Sequence, residues 1–263
     1  MPSPETIARD LPAAIAGGDV ELHYQPQVEL AGGTVVGLEG LARWTHSRLG
    51  AVEPCDFVSV AESSGSIHIL GRWALGEGCR AAKRWRDQGF RVEIAVNVSP
   101  LQLDRRSFFE ELERQLDDTG LPADALILEV TEAQQFRDAA AAASRLDALA
   151  ERGVTVSIDD YDTGRSTLER AVALHAGELK IDRALIAGMD RERVEQAVVI
   201  APEKGMRVVA EGIETRAQYD FARHTGCDRA QGYYITRPIA RETCASWMAA
   251  HPGDWRNATG TTR

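Results

Sequence analysis

Apolar residues recur along the chain in short strand-like runs, most of them followed by a longer stretch with the spacing of an amphipathic helix. Eight strand-like runs begin near positions 20, 34, 92, 126, 154, 178, 207 and 229. Most of the helical stretches end at a glycine, which suits the left-handed conformation at a helix C-terminus. Eight strands that alternate with helices in a chain of 263 residues predict a barrel of the (β/α)8 type.

The first two strands break this alternation, because no helix separates them. Residues 20–30 and 34–44 are joined by Ala31-Gly32-Gly33, which is typical of a hairpin turn. We therefore predict an α/β fold, a modified (β/α)8 TIM barrel with one antiparallel strand. A doubly wound open sheet is the structural alternative, although no Gly-x-Gly-x-x-Gly motif follows the first strand. One domain is expected over residues 1–263, with an ordered core over about 5–250 and a polar C-terminal tail.

In the middle of the chain, a run of β-branched residues that begins at Val154 ends in two adjacent carboxylates, Asp159 and Asp160. Neighbouring side chains on a strand point to opposite faces, so the two acids meet at one site only where the strand has begun to turn. Two close anions raise each other's pKa, whereas a divalent cation between them offsets the repulsion. The pattern favours a metal-binding pair, with a solvated turn as the alternative.

Polar residues also lie at or near the carboxyl ends of the other predicted strands. In a closed barrel these ends form one mouth, where active sites are built. Carboxylates crowded together remain ionised when cations share them, and oxygen ligands favour Mg²⁺ or Mn²⁺ over zinc. The residues at this mouth are Glu39, Asn97, Glu129, Asp159, Asp160, Lys180, Glu211 and Gln231.

Two divalent ions that share a carboxylate form a site for in-line attack on phosphorus. The residues at the mouth therefore predict metal-assisted phosphoester chemistry. An enolase-like reaction is the competing interpretation, in which carboxylates hold Mg²⁺ and Lys180 abstracts a proton from a carbon acid.

Composition narrows the range of partners. The formal net charge is −10 and the chain has no basic runs, which argues against non-specific binding to DNA or to a membrane surface. No apolar run approaches the roughly 20 residues of a transmembrane helix, and no signal peptide is recognisable at the start. The four cysteines are scattered and form no Cys-x-x-Cys pair, which indicates a reduced, cytoplasmic protein.

Eight short motifs, taken in order, resemble those of the EAL-domain cyclic-di-GMP phosphodiesterases. Each motif alone is weak, but the ordered set covers about residues 11–247 and is specific. The motifs are Tyr24-Gln25-Pro26, Glu39-Gly40-Leu41-Ala42-Arg43-Trp44, Asn97-Val98-Ser99, Glu129-Val130-Thr131-Glu132, Asp159-Asp160, Lys180-Ile181-Asp182, Glu211-Gly212-Ile213-Glu214 and Gln231-Gly232-Tyr233. The family has a modified barrel with one antiparallel strand, in agreement with the hairpin. The resemblance implies hydrolysis of cyclic di-GMP, a bacterial second messenger, to linear pGpG.

The resemblance also implies a role for each matched residue. The ligands of two Mg²⁺ or Mn²⁺ ions would be Glu39, Asn97, Glu129, Asp159, Asp160 and Glu211. The residues that contact the dinucleotide would be Gln25, Arg43 and Gln231. The catalytic residues would be Glu39, Lys180 and Glu211, with Lys180 orienting or helping to deprotonate the attacking water. Glu132 would anchor the loop after Asp160, a segment that links metal binding to dimerisation in this family.

The chain departs from the family pattern at three places. The segment from about Asp190 to Gly205 is short and contains Pro202, so we expect the helical surface that the family uses for dimers to differ. The signature Glu-Ala-Leu is Glu39-Gly40-Leu41, and the loop after the paired acids has Asp162 and Arg165 where the family has glycine and tyrosine. The added anion favours a second hypothesis, a weakly active or inactive barrel that serves as a cyclic-di-GMP receptor or a protein-binding signalling module. The resemblance further implies a homodimer and, in a longer protein, a sensor or GGDEF partner domain.

Overall fold

Eight strands close into a barrel, and one of them is antiparallel to both of its neighbours. The computed structural model describes residues 3–131, 139–161 and 171–253. The barrel strands are β1 (Val20–Glu29), β2 (Val35–His46), β4 (Glu93–Asn97), β5 (Leu126–Thr131), β6 (Thr155–Tyr161), β7 (Glu178–Ile181), β8 (Arg207–Ala210) and β9 (Arg229–Gln231). Strand β1 is the antiparallel member, paired with β2 and β9, and the other neighbours pair in parallel. The predicted modified barrel is therefore confirmed.

Helices cover the outside of the barrel, and several end at the glycines that the sequence singles out. Gly18, Gly120 and Gly226 follow the first, fifth and ninth helix with a positive φ, a backbone conformation that glycine adopts without strain. The helices in the described ranges are α1 (Pro4–Gly17), α2 (Pro54–Ser64), α3 (Ile67–Asp87), α4 (Pro100–Leu103), α5 (Arg106–Thr119), α6 (Ala139–Glu151), α7 (Arg183–Gly188), α8 (Arg191–Glu203), α9 (Arg216–Thr225) and α10 (Arg241–Ala250). Among these, none is both long and apolar enough to cross a membrane.

Two short strands extend the sheet outside the barrel wall. Strand β3 (Gly50–Val52) pairs with the far end of β2, and β10 (Ile239–Ala240) pairs with β1. The continuation of β2 towards β3 is the reason why Glu39 lies in the middle of a strand, where the sequence indicates a strand end. The parallel pairing of Glu39 with Ala95 of β4 determines how far along the barrel axis Glu39 lies and so places it at the mouth.

The apolar residues form two cores. The larger core lies between the barrel wall and its helices. A smaller one lies beside the mouth, where α1 and α2 pack against the end of β2 and the start of α3. This small core consists of Ile7, Leu11, Ala14, Ile15, Val20, Trp44, Val52, Phe57, Ala61, Ile67 and Leu70.

The end of the barrel opposite the mouth is filled by charged side chains. Glu93, Glu178, Arg207 and Arg229 each stand at the first residue of their strand, and we call these four the basal cluster. Arg207 Nε donates to Glu178 Oε2 at 2.6 Å, and its other nitrogens reach Glu93 at 3.2 and 3.3 Å. Arg229 pairs with the same Glu93. Two arginines therefore balance two glutamates at this end.

Candidate active site

Lys180 lies at the centre of the mouth, fully buried on β7. Its Nζ is 2.6 Å from Glu211 Oε1 and 2.9 Å from Glu129 Oε1. Asp159 Oδ1 and Glu39 Oε2 follow at 3.6 and 3.7 Å. Burial opposes the charge of the amine, but the surrounding carboxylates outweigh burial and raise the pKa of Lys180 well above its ordinary value. With these side chains around it, Lys180 is a fixed ammonium group.

Glu129 is the most deeply buried acid of the site, with no exposed surface. Its Oε1 forms an ion pair with Lys180, but this contact does not have the geometry of a hydrogen bond. Its Oε2 has no hydrogen-bond partner among the described residues. Burial, and then the neighbouring charge of Glu39, raise the pKa of Glu129 well above its usual range. A buried carboxylate with unused acceptor capacity is costly unless a cation or a donor satisfies it.

Asp159 and Asp160 converge because the chain turns between them, as the sequence predicts. Asp160 has a φ of 62°, and the pairing of β6 with β7 shifts register between Ile158 and Tyr161. The Asp160 backbone N–H donates to Asp159 Oδ1 at 3.0 Å. Carboxylate oxygens of Asp159, Asp160 and Glu211 then lie within 4.8 Å of one another. The left-handed backbone thus brings two adjacent acids to one side.

The charges of the mouth do not balance. The mouth holds one ammonium group and five carboxylates, from Glu39, Glu129, Asp159, Asp160 and Glu211; all but Asp160 lie 2.6–3.7 Å from Lys180 Nζ. With all five carboxylates ionised, four formal negative charges remain, which is the charge that two divalent cations neutralise. The donors are all oxygen atoms, the ligand type of hard cations such as Mg²⁺ and Mn²⁺. Together with the unsatisfied oxygens of Glu129, this donor set fits the expected metal ions.

Side-chain amides donate hydrogen bonds to both carboxylate oxygens of Glu39. Asn97 Nδ2 donates to Glu39 Oε1 at 2.8 Å, and Gln231 Nε2 donates to Glu39 Oε2 at 2.5 Å. Gln231 Nε2 also lies 3.1 Å from Gln25 Oε1. Burial alone would raise the pKa of Glu39, but the Lys180 ammonium and these donors outweigh it and lower that pKa. Gln25 reaches the mouth from within β1 because this strand runs in the opposite direction.

The loops after β8 and β9 cross at a point where no side chain fits. A Cβ built on Gly232 would lie 2.2 Å from the carbonyl oxygen of Ile213. The backbone N–H of Ile213 donates to the Gln231 carbonyl at 3.0 Å, and Tyr234 N–H donates to the Ile213 carbonyl at 2.8 Å. This crossing fixes the position of Glu211 on one loop relative to Gln231 at the end of β9.

Two hollows open on either side of the acidic cluster and share Glu39, Leu41 and Asp159 in their walls. The first has a volume of about 410 Å³ and a mainly apolar lining, with Arg43 and Asn97 at one side. The second has a volume of about 270 Å³; Gln25, Asp160, Glu211, Gln231 and Tyr233 line it. The mouth therefore has room for an elongated ligand whose centre lies over the carboxylates.

The structure brings most of the predicted site residues together. Arg43 does not reach the acidic cluster but lines the first hollow, where its Nη1 donates to the Ala42 carbonyl at 2.9 Å. Glu132, Asp162 and Arg165 lie outside the described residues. Sequence reasoning missed Glu62, which accepts a hydrogen bond from Ser99 at the wall of the first hollow. The spacing of Cys55, Val58 and Glu62 on one helical face is the signal that could have identified it.

Comparisons with known proteins agree with this geometry. The family model described as EAL domain matches residues 8–238. The chain is 38% identical to the bifunctional diguanylate cyclase/cyclic di-GMP phosphodiesterase MucR of Pseudomonas aeruginosa over 92% of this chain and 36% of MucR. It is 36% identical to the cyclic di-GMP phosphodiesterase NbdA of the same organism over 94% of this chain and 32% of NbdA. The chain thus spans about a third of the length of these relatives.

Solved structures show the same fold. A PaMucR phosphodiesterase in complex with c-di-GMP superposes with a TM-score of 0.84 and 38% identity, covering 91% of this chain and 99% of that one. The EAL enzyme Bd1971, bound to cAMP and cyclic di-GMP, superposes with a TM-score of 0.87 and 25% identity, covering 93% of this chain and 69% of that one. The fold, the acidic mouth and these matches lead to one conclusion: the chain belongs to the EAL domain family.

Proposed function

We propose that the chain is a phosphodiesterase that hydrolyses cyclic di-GMP to linear pGpG with two Mg²⁺ or Mn²⁺ ions. The observation that carries the proposal is the charge imbalance at the mouth, where Lys180 is the ammonium group among five carboxylates, four of them paired with it, and Glu129 retains unsatisfied oxygens. Relatives that are 35–38% identical to this chain are named cyclic di-GMP phosphodiesterases. Chemistry and family membership therefore support the same reaction.

Each residue of the mouth has a proposed role that follows from its position. The proposed metal ligands are Glu39, Asn97, Glu129, Asp159, Asp160 and Glu211. When bound, the ions supply Lewis acidity to a phosphoryl oxygen and lower the pKa of a bound water. The amides of Asn97 and Gln231 hold the Glu39 carboxylate in one orientation, and Lys180 holds Glu129 and Glu211 on either side of its ammonium.

Lys180 is proposed to donate a hydrogen bond to the attacking water and so orient it. Without ions, its carboxylate neighbours raise the pKa of its amine. Cations that bind the same carboxylates act in the opposite direction and favour the neutral amine, which could then accept a proton. An enolase-like reaction needs a neutral base aimed at a carbon acid, and no feature of the mouth supports that substrate over a phosphodiester.

Substrate contacts are proposed for Gln25, Arg43 and Gln231. The two hollows flank the acidic cluster, which suits a ligand with a phosphodiester at its centre and a base on either side. The planar guanidinium of Arg43 matches phosphate oxygens. The amides of Gln25 and Gln231 stand beside Glu39, within reach of the same phosphodiester.

The test is product analysis of cyclic di-GMP incubated with the purified chain and Mg²⁺, Mn²⁺ or a chelator. We expect metal-dependent formation of pGpG that is lost in Glu39→Ala. Glu195→Ala, a change in an exposed α8 ion pair, serves as the matched control and should retain activity. Absence of pGpG in the unaltered chain, with both metals, contradicts the proposal.

A receptor without turnover is the second candidate, and the anion that Asp162 adds to the loop sequence after the paired acids favours it. Tight binding of cyclic di-GMP without hydrolysis would support this candidate. Asp162→Gly is then the next variant, and we expect it to raise activity or metal affinity because it removes a charge that follows Asp160 by two residues in the sequence.

The wider setting of the chain is also a proposal. Its relatives are about three times longer, so a sensor or GGDEF domain is proposed as part of the natural protein, and a homodimer as its assembly. Glu132 is proposed to anchor the loop that links the metal site to the dimer. A cytoplasmic location is proposed because the four cysteines are free and three of them are buried.

A further inference from the structure

Helix α2 contributes to two different parts of the molecule. Phe57 packs into the small core, where its ring meets Trp44 edge-on with centroids 6.0 Å apart. Cys55, Val58 and Glu62 follow one another at positions i, i+3 and i+7, which share one face of a helix, and they line the first hollow. The helix is therefore both a component of the small core and a wall of the candidate active site.

Glu62 reaches from this wall to the end of β4. Ser99 Oγ donates to Glu62 Oε1 at 2.7 Å and accepts the backbone N–H of Leu101 at 3.3 Å. A hydroxyl group has one proton to donate, and a carboxylate is a partner that only accepts. Hydrogen bonds to an ionised acceptor are roughly twice as strong as neutral ones. The Glu62–Ser99 bond thus fixes the start of α4 against α2.

The segment that Glu62 holds also carries a proposed metal ligand. Asn97 lies two residues before Ser99 and donates Nδ2 to Glu39 Oε1 at 2.8 Å. The backbone N–H of Val98, between them, donates to the Glu129 carbonyl at 2.8 Å. Three consecutive residues therefore connect α2 on one side with Glu39 and Glu129 on the other.

We propose that Glu62 is a positioning residue for the metal ligands, which ties the packing of the small core to the Asn97 amide and the Glu39 carboxylate. The inference rests on the proposed function, because the ligands it orients are those assigned there. Loss of the Glu62–Ser99 bond lets the segment 97–99 shift, and Asn97 then no longer holds Glu39 in one orientation. The site binds divalent ions less tightly as a result.

The experiment measures binding of Mn²⁺ alone, from the electron paramagnetic resonance signal of the free ion, without nucleotide. We expect Glu62→Ala to weaken Mn²⁺ binding about tenfold, the lower end of the range for residues that orient metal ligands. Glu62→Gln keeps an acceptor oxygen and should retain most of the affinity. Glu53→Ala, an exposed residue at the start of α2 whose side chain makes no capping bond, is the matched control and should leave binding unchanged.

A double-mutant cycle separates positioning from general destabilisation. Ser99→Ala removes the same bond from the other side, so Glu62→Ala with Ser99→Ala should weaken Mn²⁺ binding by less than the sum of the two single losses. Additive losses overturn the proposal, and so does unchanged Mn²⁺ affinity in a folded Glu62→Ala variant. If Glu62→Ala does not fold, Ser99→Ala takes its place, and normal Mn²⁺ binding in that variant overturns the proposal.

Hydrolysis of cyclic di-GMP is measured in parallel on the same variants. If the variants show the expected order of Mn²⁺ affinities but the unaltered chain forms no pGpG, the proposed function is contradicted and the positioning role is supported. If the chain forms pGpG but substitution of Glu62 or Ser99 leaves its Mn²⁺ affinity unchanged, the positioning role is contradicted and the proposed function is supported.

Discussion

The two ends of the barrel interior both bury charged side chains, but only one end balances them. In the basal cluster, two arginines meet two glutamates, and each carboxylate has an arginine partner. At the mouth, five carboxylates share one ammonium, four of them paired with it, and the carboxylate oxygens of Glu129 have no hydrogen-bond partner in the described part of the chain. The basal cluster is balanced in charge, although Glu178 Oε1 has no hydrogen-bond partner among the described residues, whereas the mouth keeps a surplus of negative charge that cations are proposed to neutralise.

This difference shows that a buried charge is a poor sign of function by itself. Glu178 and Lys180 are two residues apart on β7, both are fully buried, and both side chains point into the barrel. Their neighbours distinguish them: Glu178 faces arginines, and Lys180 faces a surplus of acids. A buried cluster whose side-chain charges do not sum to zero indicates a metal or ligand site better than a buried charge does by itself.

Replacing the central ammonium should have the largest effect and should make the mouth depend on metal for stability. We expect Lys180→Met to reduce hydrolysis by about 10²- to 10⁴-fold, the usual range for a group that assists proton transfer. In chelator it should also lower the free energy of unfolding by about 3–5 kcal/mol, because buried carboxylates lose their partner. Saturating Mg²⁺ should restore part of that stability. Product formation and urea unfolding, with and without Mg²⁺, measure both effects.

The equivalent change in the basal cluster should destabilise the fold without any link to metal. Glu178→Gln leaves Arg207 and Arg229 with one carboxylate, and we expect the free energy of unfolding to fall by about 3 kcal/mol. The turnover of the folded fraction should remain unchanged. Urea unfolding should give the same loss in Mg²⁺ and in chelator, with Glu195→Gln as the exposed control. A loss that Mg²⁺ reverses would contradict the separation of the two ends.

The crossing of the two loops at the mouth can be tested by adding one methyl group. Gly232→Ala places a Cβ against the backbone of Ile213, so the loop that carries Glu211 and the end of β9 that carries Gln231 must move apart. A misplacement of about 1 Å costs on the order of 10²-fold in rate, and we expect turnover to fall by that factor. Gly188→Ala, where a Cβ meets no atom within 4 Å, is the control. Equal rates for both variants would show that the crossing does not position the site.

The smallest effect is expected on the outer face of β2, one residue from the mouth. A Cβ on Gly40 would lie 3.4 Å from Leu22 Cδ1 and 3.6 Å from the Ala95 carbonyl oxygen, which are ordinary contacts. Gly40→Ala restores the family signature and should raise the free energy of unfolding by about 0.5–1 kcal/mol, since glycine weakens a strand. Turnover should not change. A large change in turnover would show that the signature alanine does more than fill space.

Most residues at the mouth could be predicted from the sequence, because strand ends are visible as patterns and parallel strands end together. Asn97 and Lys180 are each recognisable as the last or nearly the last residue of an apolar run. The convergence of Asp159 and Asp160 followed from the alternation of side chains on a strand and is confirmed by the positive φ of Asp160. Local rules suffice where a strand positions the residue.

The rest depends on distant contacts that no local pattern contains. Glu93 and Arg229 are 136 residues apart and meet only because the barrel closes. Helix α2 was missed because its apolar positions are divided between the small core and the first hollow, so that neither face gives a full amphipathic period. The helical spacing that Glu62 shares with Cys55 and Val58 becomes informative only once that helix is known. The position of Glu39 at the mouth likewise depends on the pairing of β2 with β4, because β2 continues beyond Glu39 and its end does not mark the mouth.

The reversed direction of β1 determines where the polypeptide enters the barrel. Val20, its first residue, pairs with Trp44 beyond the mouth, while Val28 pairs with Val35 at the opposite end. In an all-parallel barrel the first strand would begin at the face far from the chemistry. Here α1 arrives beside the mouth and packs onto α2, so any module joined ahead of α1 is attached next to the catalytic face. One inverted strand thereby places α1, and any segment continuous with it, on the side of the barrel that carries the acidic cluster.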